Sequence, residues 1–228
     1  MCGPNGSTLW VEISASRIAG GEDEPDTVVG VMADVTERKR MLEDMCRLAR
    51  TDSLTGLWNR GYFMELAERE VARSLRAEGP LSLLILDVDY FKAVNDVHGH
   101  DAGDRALVGI ADTLRNAVRE VDVVARYGGE EFVALLPDAS RDEGVRIAER
   151  ICDRIREARL DCGRVSLGVT VSIGLTSLHP EDDLDGLLKF ADIALYAAKK
   201  KGRDRTEVYR REERSCAMPV AEGKEEDR

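Results

Sequence analysis

No C-x-x-C pair occurs in this 228-residue chain, and its five cysteines (Cys2, Cys46, Cys152, Cys162 and Cys216) are scattered. An odd count without a framework fits a reducing compartment and supports neither a disulfide scaffold nor a thiolate metal centre. No apolar run approaches the ~20 residues of a membrane span, and no signal-peptide pattern opens the chain. The expectation is therefore a soluble, cytoplasmic protein with no membrane segment. Excess positive charge is also missing: the formal net charge is −11. A general nucleic-acid binder needs a basic face to displace counterions, so the charge argues against that class. Neither G-x-x-x-x-G-K-[ST] nor G-x-G-x-x-G is present, which removes P-loop and Rossmann sites. No Ser/His/Asp arrangement stands out. His98 and His100, two apart in a turn-rich stretch, read as turn or hydrogen-bonding residues rather than a transition-metal pair. There is no internal repeat and no low-complexity tract.

At 43% hydrophobic and 34% charged residues, the chain has enough apolar material for one good-sized domain with appendages. Its organising stretch is REVDVVARYGGEEFVALLPD, residues 119–138. Apolar runs at 121–125 and 132–136 flank Gly128-Gly129-Glu130-Glu131 and predict two strands of a hairpin. Glycine at the tip is expected to supply positive φ and to let a ligand approach. Neighbours on a strand point to opposite faces, so Glu130 and Glu131 cannot both be solvated decoration. At least one is expected to face a cation or a titrating substrate. A second signal is LSLLILDV at 81–88, a continuous apolar run that reads as a strand buried on both faces. It ends in Asp87-Val88-Asp89-Tyr90-Phe91-Lys92, and carboxylates at the end of a buried strand are costly unless coordinated or paired.

Around these signals the chain divides into residues 1–35, 36–50, 51–210 and 211–228. The first holds two strand-like pieces, at 7–14 and 27–35, too few for a stable domain. Thr36 is expected to N-cap a linker helix with Leu42, Met45 and Ala49 on one side. TDSLTGLWNR at 51–60 opens a further helix, buried through Phe63, Leu66, Ala67, Val71 and Leu75 and stopped by Gly79-Pro80. AVNDVHGHDAGD at 93–104 reads as a loop before a helix carrying Leu107, Ile110, Ala111, Leu114 and Val118. Helices follow at about 140–158 and 182–201, with strands within 165–176 and at 207–209. The last segment is charged, poor in aromatics and expected to be disordered. Hairpins and long helices without regular β-α alternation predict an α+β fold, a largely antiparallel central sheet flanked by helices. Asp87 and Glu130 would then lie at neighbouring strand ends, an acidic pair suited to a hard cation. Mg²⁺ held in this way activates a hydroxyl and stabilises leaving pyrophosphate in many phosphoryl-transfer enzymes. Lys92, Lys199-Lys200-Lys201 and Arg203 supply positive charge for a triphosphate. Lys200 and Lys201 read as solvated helix-end charges.

TDSLTGLWNR, LDVDYFKAVNDVHGHDAGD, RYGGEEF and YAAKKKGR, in that order, resemble a GGDEF-type diguanylate cyclase in its GGEEF variant, over residues 51–209. The resemblance implies a nucleotide-cyclase-like fold, GTP as substrate, cyclic di-GMP as product, and Mg²⁺, or Mn²⁺ in its place. It implies that Asp87 and Glu130 ligate the metal with the backbone carbonyl of Val88. Glu131 is either a second metal ligand or the group that helps deprotonate the 3′-hydroxyl. Asn95 and Asp104 recognise guanine. Lys92, Lys199 and Arg203 contact the triphosphate with backbone N–H groups near Tyr90 and Phe91, while Gly128 and Gly129 leave room for the nucleotide. Asp89 reads as structural, through a salt bridge or loop hydrogen bond. WVEIS followed by VVGVMADVTERKR resembles the last strands and exit of a PAS sensor domain.

The implied product joins two GMP units by two phosphodiester bonds, so each 3′-oxygen must attack a nucleotide held by another protomer. A two-fold homodimer follows. R-x-x-D at Arg119 and Asp122 resembles the family's product-inhibition site, with Arg150 assisting and Arg73 in a similar part. The alternatives are a silent relative that only binds the cyclic dinucleotide, and a sensor or scaffold working through the N-terminal piece.

Overall fold

The computed structural model describes residues 9–18, 27–162 and 166–211. The disorder expected for the tail falls almost wholly outside them. The elements are β1 (Val11–Ile18), β2 (Thr27–Asp34), α1 (Thr36–Arg50), β3 (Trp58–Asn59), α2 (Arg60–Ala77), β4 (Leu81–Val88), α3 (Phe91–His98) and α4 (His100–Ala117). They continue with β5 (Val123–Arg126), β6 (Glu131–Pro137), α5 (Arg141–Glu157), β7 (Leu160–Asp161), β8 (Ser166–Leu167), β9 (Val171–Ser177), α6 (Leu184–Lys200) and β10 (Thr206–Val208). No helix among the described residues is long and apolar enough to cross a membrane.

The central sheet runs β10-β9-β4-β6-β5-β3. Its inner pairings, β9 with β4, β4 with β6 and β6 with β5, are antiparallel, and its two edge pairings are parallel. The expected α+β class with a largely antiparallel sheet is what forms. Every residue of β4 is buried, as its unbroken apolar run requires. Strand alternation then divides the core. Leu84, Leu86, Phe132 and Ala134 pack with Leu107, Ile110, Ile151 and Ile155 of α4 and α5. Leu83, Ile85, Val133 and Leu135 pack with Phe63 and Ala67 of α2 and with Leu187, Ala191 and Leu195 of α6. Helix α6 presses closely on β9: a Cβ on Gly174 would stand 2.1 Å from the Ala191 carbonyl oxygen and 2.3 Å from Leu195 N. Only glycine permits that approach, and the approach sets where the end of α6 meets the sheet.

Several local expectations change. Residues 93–104 are mostly helical; α3 and α4 are separated at Gly99, whose φ of 85° breaks the helix. Clustered turn-forming residues there mark a break of one residue rather than a loop. Thr36 is the first residue of α1 and not its cap, because the first helical bond, from Lys39 N–H, goes to the Val35 carbonyl at 2.9 Å. The left-handed cap that ends α2 is Glu78 (φ 52°), one residue before Gly79. Leu75, expected on the buried face, is exposed, and Ser74 takes that place. Helix α5 starts with a capping box between Ser140 and Glu143.

The β1–β2 pair forms its own two-stranded sheet and leaves Ile13, Val28, Val31 and Met32 exposed. It is tied to the start of α1, with Trp10 N–H donating to Thr36 Oγ1 at 2.9 Å and Val35 N–H to the Trp10 carbonyl at 2.9 Å.

Candidate active site

Register brings the acidic residues together. Asp87, one residue from the end of β4, stands directly opposite Glu131, the first residue of β6, and opposite Ser172 on its other side. Side chains opposite each other share a face, so the two carboxylates look toward α6. Lys199 answers them: its Nζ lies 2.8 Å from Asp87 Oδ2. Asp87 is only 8% exposed, and a buried carboxylate requires such a partner. Glu131 has less compensation. Burial first, then the nearby Asp87 charge, raises its pKa against the opposing effect of Lys199. Asp192, seven residues before Lys199 on α6, adds to that push and is itself raised by desolvation. Glu130 precedes β6 and joins β4 through its backbone, its carbonyl accepting the Val88 N–H at 3.2 Å.

This donor set suits a hard divalent cation. It offers carboxylate oxygens with more negative charge than one lysine offsets, and Mg²⁺ favours one or two carboxylates plus substrate phosphates. Among the described residues no group of three or more His, Cys, Asp and Glu side chains is placed to hold a metal by itself. His98 and His100 flank the α3–α4 break, exposed.

Neither Gly128 nor Gly129 has the positive φ expected at the tip. The turn instead closes with Tyr127 and Gly128 N–H groups donating to the Glu131 carbonyl, at 2.8 and 3.3 Å. Space is what these glycines supply: a Cβ on Gly128 would stand 2.9 Å from Glu131 Oε2, and one on Gly129 would meet nothing within 4 Å.

Tyr90 caps α3 with φ 55°. Its exposed ring carries the Arg203 guanidinium 4.6 Å from the centroid, with Arg203 Nη1 3.4 Å from the Tyr90 hydroxyl. Arg203 is thus brought to the N-cap of α3; Lys92, two residues further on, is exposed. Further along α3, Asn95 Oδ1 is buried without a hydrogen-bond partner. It fits against α4 because residue 103 is glycine; a Cβ there would lie 1.9 Å from this oxygen. Asp104, on the first turns of α4, is exposed. Lys201 pairs with Glu207 at 2.7 Å, and Lys200 lies over Tyr196.

Asp89 is structural by hydrogen bonding. Its carboxylate accepts the hydroxyls of Thr170 and Ser172, each at 2.7 Å, and the N–H of Asp204 at 3.0 Å.

At the other end of β5, Arg119 N–H donates to Asp122 Oδ2 at 2.7 Å, while Asp122 Oδ1 is buried and unpartnered. Burial raises the Asp122 pKa against the charges of Arg119 and Arg150. Arg150 donates to the Ala117 carbonyl, at the end of α4. A cleft of about 460 Å³ opens here, lined by Trp58, Arg115, Arg119, Asp122 and Val124 among others. Arg73 is engaged elsewhere, with Glu70 at 2.7 Å and Asp138 at 3.1 Å.

Sequence reasoning missed a brace at the Gly-Gly turn. Arg126 Nη1 lies 3.2 Å from both oxygens of Asp52, while its Nε and Nη2 donate to the Gly129 carbonyl at 3.1 and 2.7 Å. Asp52 also accepts the N–H and hydroxyl of Thr55 at 2.9 and 2.7 Å. Burial opposes ionisation of Asp52, but the Thr55 bonds and then Arg126 bring its pKa below the ordinary value. The loop after α1 is thereby fastened to the Gly-Gly turn. Asp followed three residues later by Thr, just past a helix, was the available signal.

Comparison with known proteins gives the same outline. The family model described as "Diguanylate cyclase, GGDEF domain" matches residues 49–205. The chain is 45% identical over 167 residues to Diguanylate cyclase DgcP of Pseudomonas aeruginosa, covering 73% of this chain and 25% of that protein. It is 38% identical over 204 residues to Response regulator PleD of Caulobacter vibrioides, covering 85% of this chain and 45% of that one. The chain therefore spans a quarter to just under half of these relatives. Among solved structures, the coiled coil and GGDEF domain of DgcB from Caulobacter crescentus, in complex with c-di-GMP, superposes with a TM-score of 0.73 at 30% identity, covering 76% of this chain and 93% of that one. The active GGEEF domain of a Vibrio cholerae diguanylate cyclase gives 0.63 at 32% identity, covering 67% and 97%. With its facing carboxylates, its Gly-Gly-Glu-Glu turn and a family match across most of its length, this chain belongs to the GGDEF-domain diguanylate cyclase family.

Proposed function

We propose that the protein condenses two GTP into cyclic di-GMP and two pyrophosphates, using Mg²⁺, as a homodimer inhibited by its own product. The observation that carries this reading is the in-register pair Asp87 and Glu131 at the ends of the two central strands, with Lys199 on Asp87. In the bound state Mg²⁺ would be held by Asp87, Glu130 and the Val88 carbonyl, and would supply charge stabilisation at the phosphates. In this reading Glu131, whose pKa is raised by burial and Asp87, takes the 3′-hydroxyl proton or adds a further ligand. Asn95 and Asp104 read guanine; the buried, unpartnered Asn95 Oδ1 is an acceptor waiting for a donor. Lys92, Lys199 and Arg203 take the triphosphate with the N–H groups near Tyr90 and Phe91, and Gly128 and Gly129 keep the turn open to it.

One such site holds one GTP, yet the product contains two new phosphodiester bonds. Each 3′-oxygen must attack the α-phosphate on the opposite protomer, displacing pyrophosphate, so two sites must face each other. Residues 51–210 form the cyclase unit in this reading. Helix α1, fastened below to the Asp52 loop, is the linker that sets dimer geometry. The β1–β2 pair, tied to Thr36 of α1, is the exit of a PAS-like sensor. Product binds at Arg119 and Asp122 with Arg150, where the cleft and the unpartnered Asp122 oxygen lie. Arg73 takes part only by leaving Glu70 and Asp138. Relatives bearing the cyclase name, and a DgcB structure in complex with c-di-GMP, support the assignment.

Incubating the purified protein with GTP and Mg²⁺ and identifying the nucleotides by chromatography and mass spectrometry tests it. Cyclic di-GMP and pyrophosphate in a ratio of one to two are expected. Unchanged GTP, or only GDP and phosphate, would refute the reading.

A further inference from the structure

The loop after α6 contains a conformation that its own residues disfavour. Arg203 and Asp204 are consecutive non-glycine residues with positive φ, 63° and 48°. Crowding of Cβ against the backbone penalises this region for L-residues, though Asp tolerates it better than most. Two in succession persist only where surrounding contacts over-determine them.

Those contacts come from three elements. The Asp204 N–H donates at 3.0 Å to Asp89 Oδ2, just past β4. Asp89 is 5% exposed and is itself fixed by Thr170 and Ser172, beside and within β9. The Asp204 carboxylate is gripped by Arg156 of α5, through Nε at 2.9 and 3.1 Å and through Nη2 at 2.9 Å. Arg156 is aligned in turn by Asp153. A fork meeting a carboxylate at two nitrogens fixes direction as well as distance. Helix α5 packs on the sheet face opposite α6, so this grip reaches the loop from the far side of the molecule. What the loop then presents is Arg203, its guanidinium over the Tyr90 ring at the start of α3.

We propose that Arg156 and Asp204 are positioning residues: by holding the left-handed turn at residues 203–204 they fix Arg203 where the triphosphate of the nucleotide binds. The inference rests on the GTP reading above. Neither residue touches substrate. Without Arg156 the Asp204 carboxylate is unpaired, the turn relaxes, and Arg203 leaves Tyr90. Affinity is then lost at the phosphate tail and not at the base.

The test compares a non-hydrolysable GTP analogue with GMP by calorimetry on wild type, Arg156→Ala and Arg203→Ala. Both variants are expected to bind the analogue about tenfold more weakly while GMP affinity stays within about twofold, since the lost contact is a charge-assisted one. An analogue-specific loss in Arg203→Ala but not in Arg156→Ala overturns the inference and leaves the GTP reading standing. Equal losses of both ligands in Arg156→Ala overturn it too, by showing a general structural role. No loss in Arg203→Ala overturns the triphosphate reading along with the inference. If Arg156→Ala fails to fold, Arg156→Lys is measured in its place. Lysine keeps the charge without the fork, and about a threefold analogue-specific loss is expected; wild-type affinity would overturn the proposal.

Discussion

At the tip of the β5–β6 hairpin, carboxylates outnumber the charge that offsets them: Asp87, Glu131 and Asp192 share Lys199. At its foot one carboxylate meets two guanidiniums, Asp122 lying in the field of both Arg119 and Arg150, with Glu143 3.9 Å from Arg119. The first arrangement attracts a cation; the second suits an anion with hydrogen-bond donors, such as a guanine nucleotide. Four residues of β5 separate them, and Arg126, the last of these, binds the Gly129 carbonyl on one side and Asp52 on the other. A single hairpin thus has two differently charged ends, and one guanidinium ties its tip to the loop after α1. Turnover should depend on the tip and inhibition on the foot.

The largest effect expected is at the tip. Asp87→Asn keeps shape but removes charge from the pair, so turnover by the proposed reaction should fall by two or more orders of magnitude, roughly the scale of a lost metal-site interaction. Inhibitor binding at the foot should persist, measured calorimetrically with cyclic di-GMP. Near-normal turnover in a folded Asp87→Asn protein would erase the distinction. A smaller effect is expected at Asn95, the proposed base reader. Asn95→Ala should weaken guanine nucleotides by about tenfold and narrow the preference for GTP over ATP analogues, at roughly 1–3 kcal/mol per buried polar group left unpaired. An unchanged preference would remove Asn95 as a base reader.

The smallest effect concerns the brace. The native pKa of Asp52 lies below its ordinary 3.8. A depressed carboxylate stabilises the fold above its unfolded pKa, and that contribution disappears as pH falls through the native value. The stability difference between wild type and Asp52→Asn should therefore be constant from pH 7 to about 5 and shrink below pH 4. Chemical denaturation across that range checks it; a difference that grows on acidification would contradict the assigned pairing.

The parts of this molecule written into consecutive residues could be read directly. The buried run 81–88 became β4, and the Gly-Gly-Glu-Glu turn joined two strands at close to the expected positions. What required the fold was pairing over long separations. Alternation was expected to send Glu130 and Glu131 to opposite faces, but Glu130 lies in the turn before β6, and only the β4–β6 register shows that Glu131 is the strand residue opposite Asp87. The approach of α6 to the sheet depends on Gly174, which looks like any strand glycine in sequence. The grip of Arg156 on Asp204 spans 48 residues and has no local pattern. The stretch 93–104 misled because its Asn, Gly and Asp residues favour turns individually, whereas packing of Phe91, Ala102 and Ala106 against the core favours two helices.

Separability of tip and foot is tested most directly by progress curves of GTP consumption with and without added cyclic di-GMP, in wild type and Arg119→Ala. The account predicts initial velocities within about twofold of each other and an inhibition constant raised at least about tenfold in the variant, the size of one lost charge-assisted contact. Equal inhibition of both proteins would contradict it, leaving Arg119 and Asp122 as an ordinary surface turn.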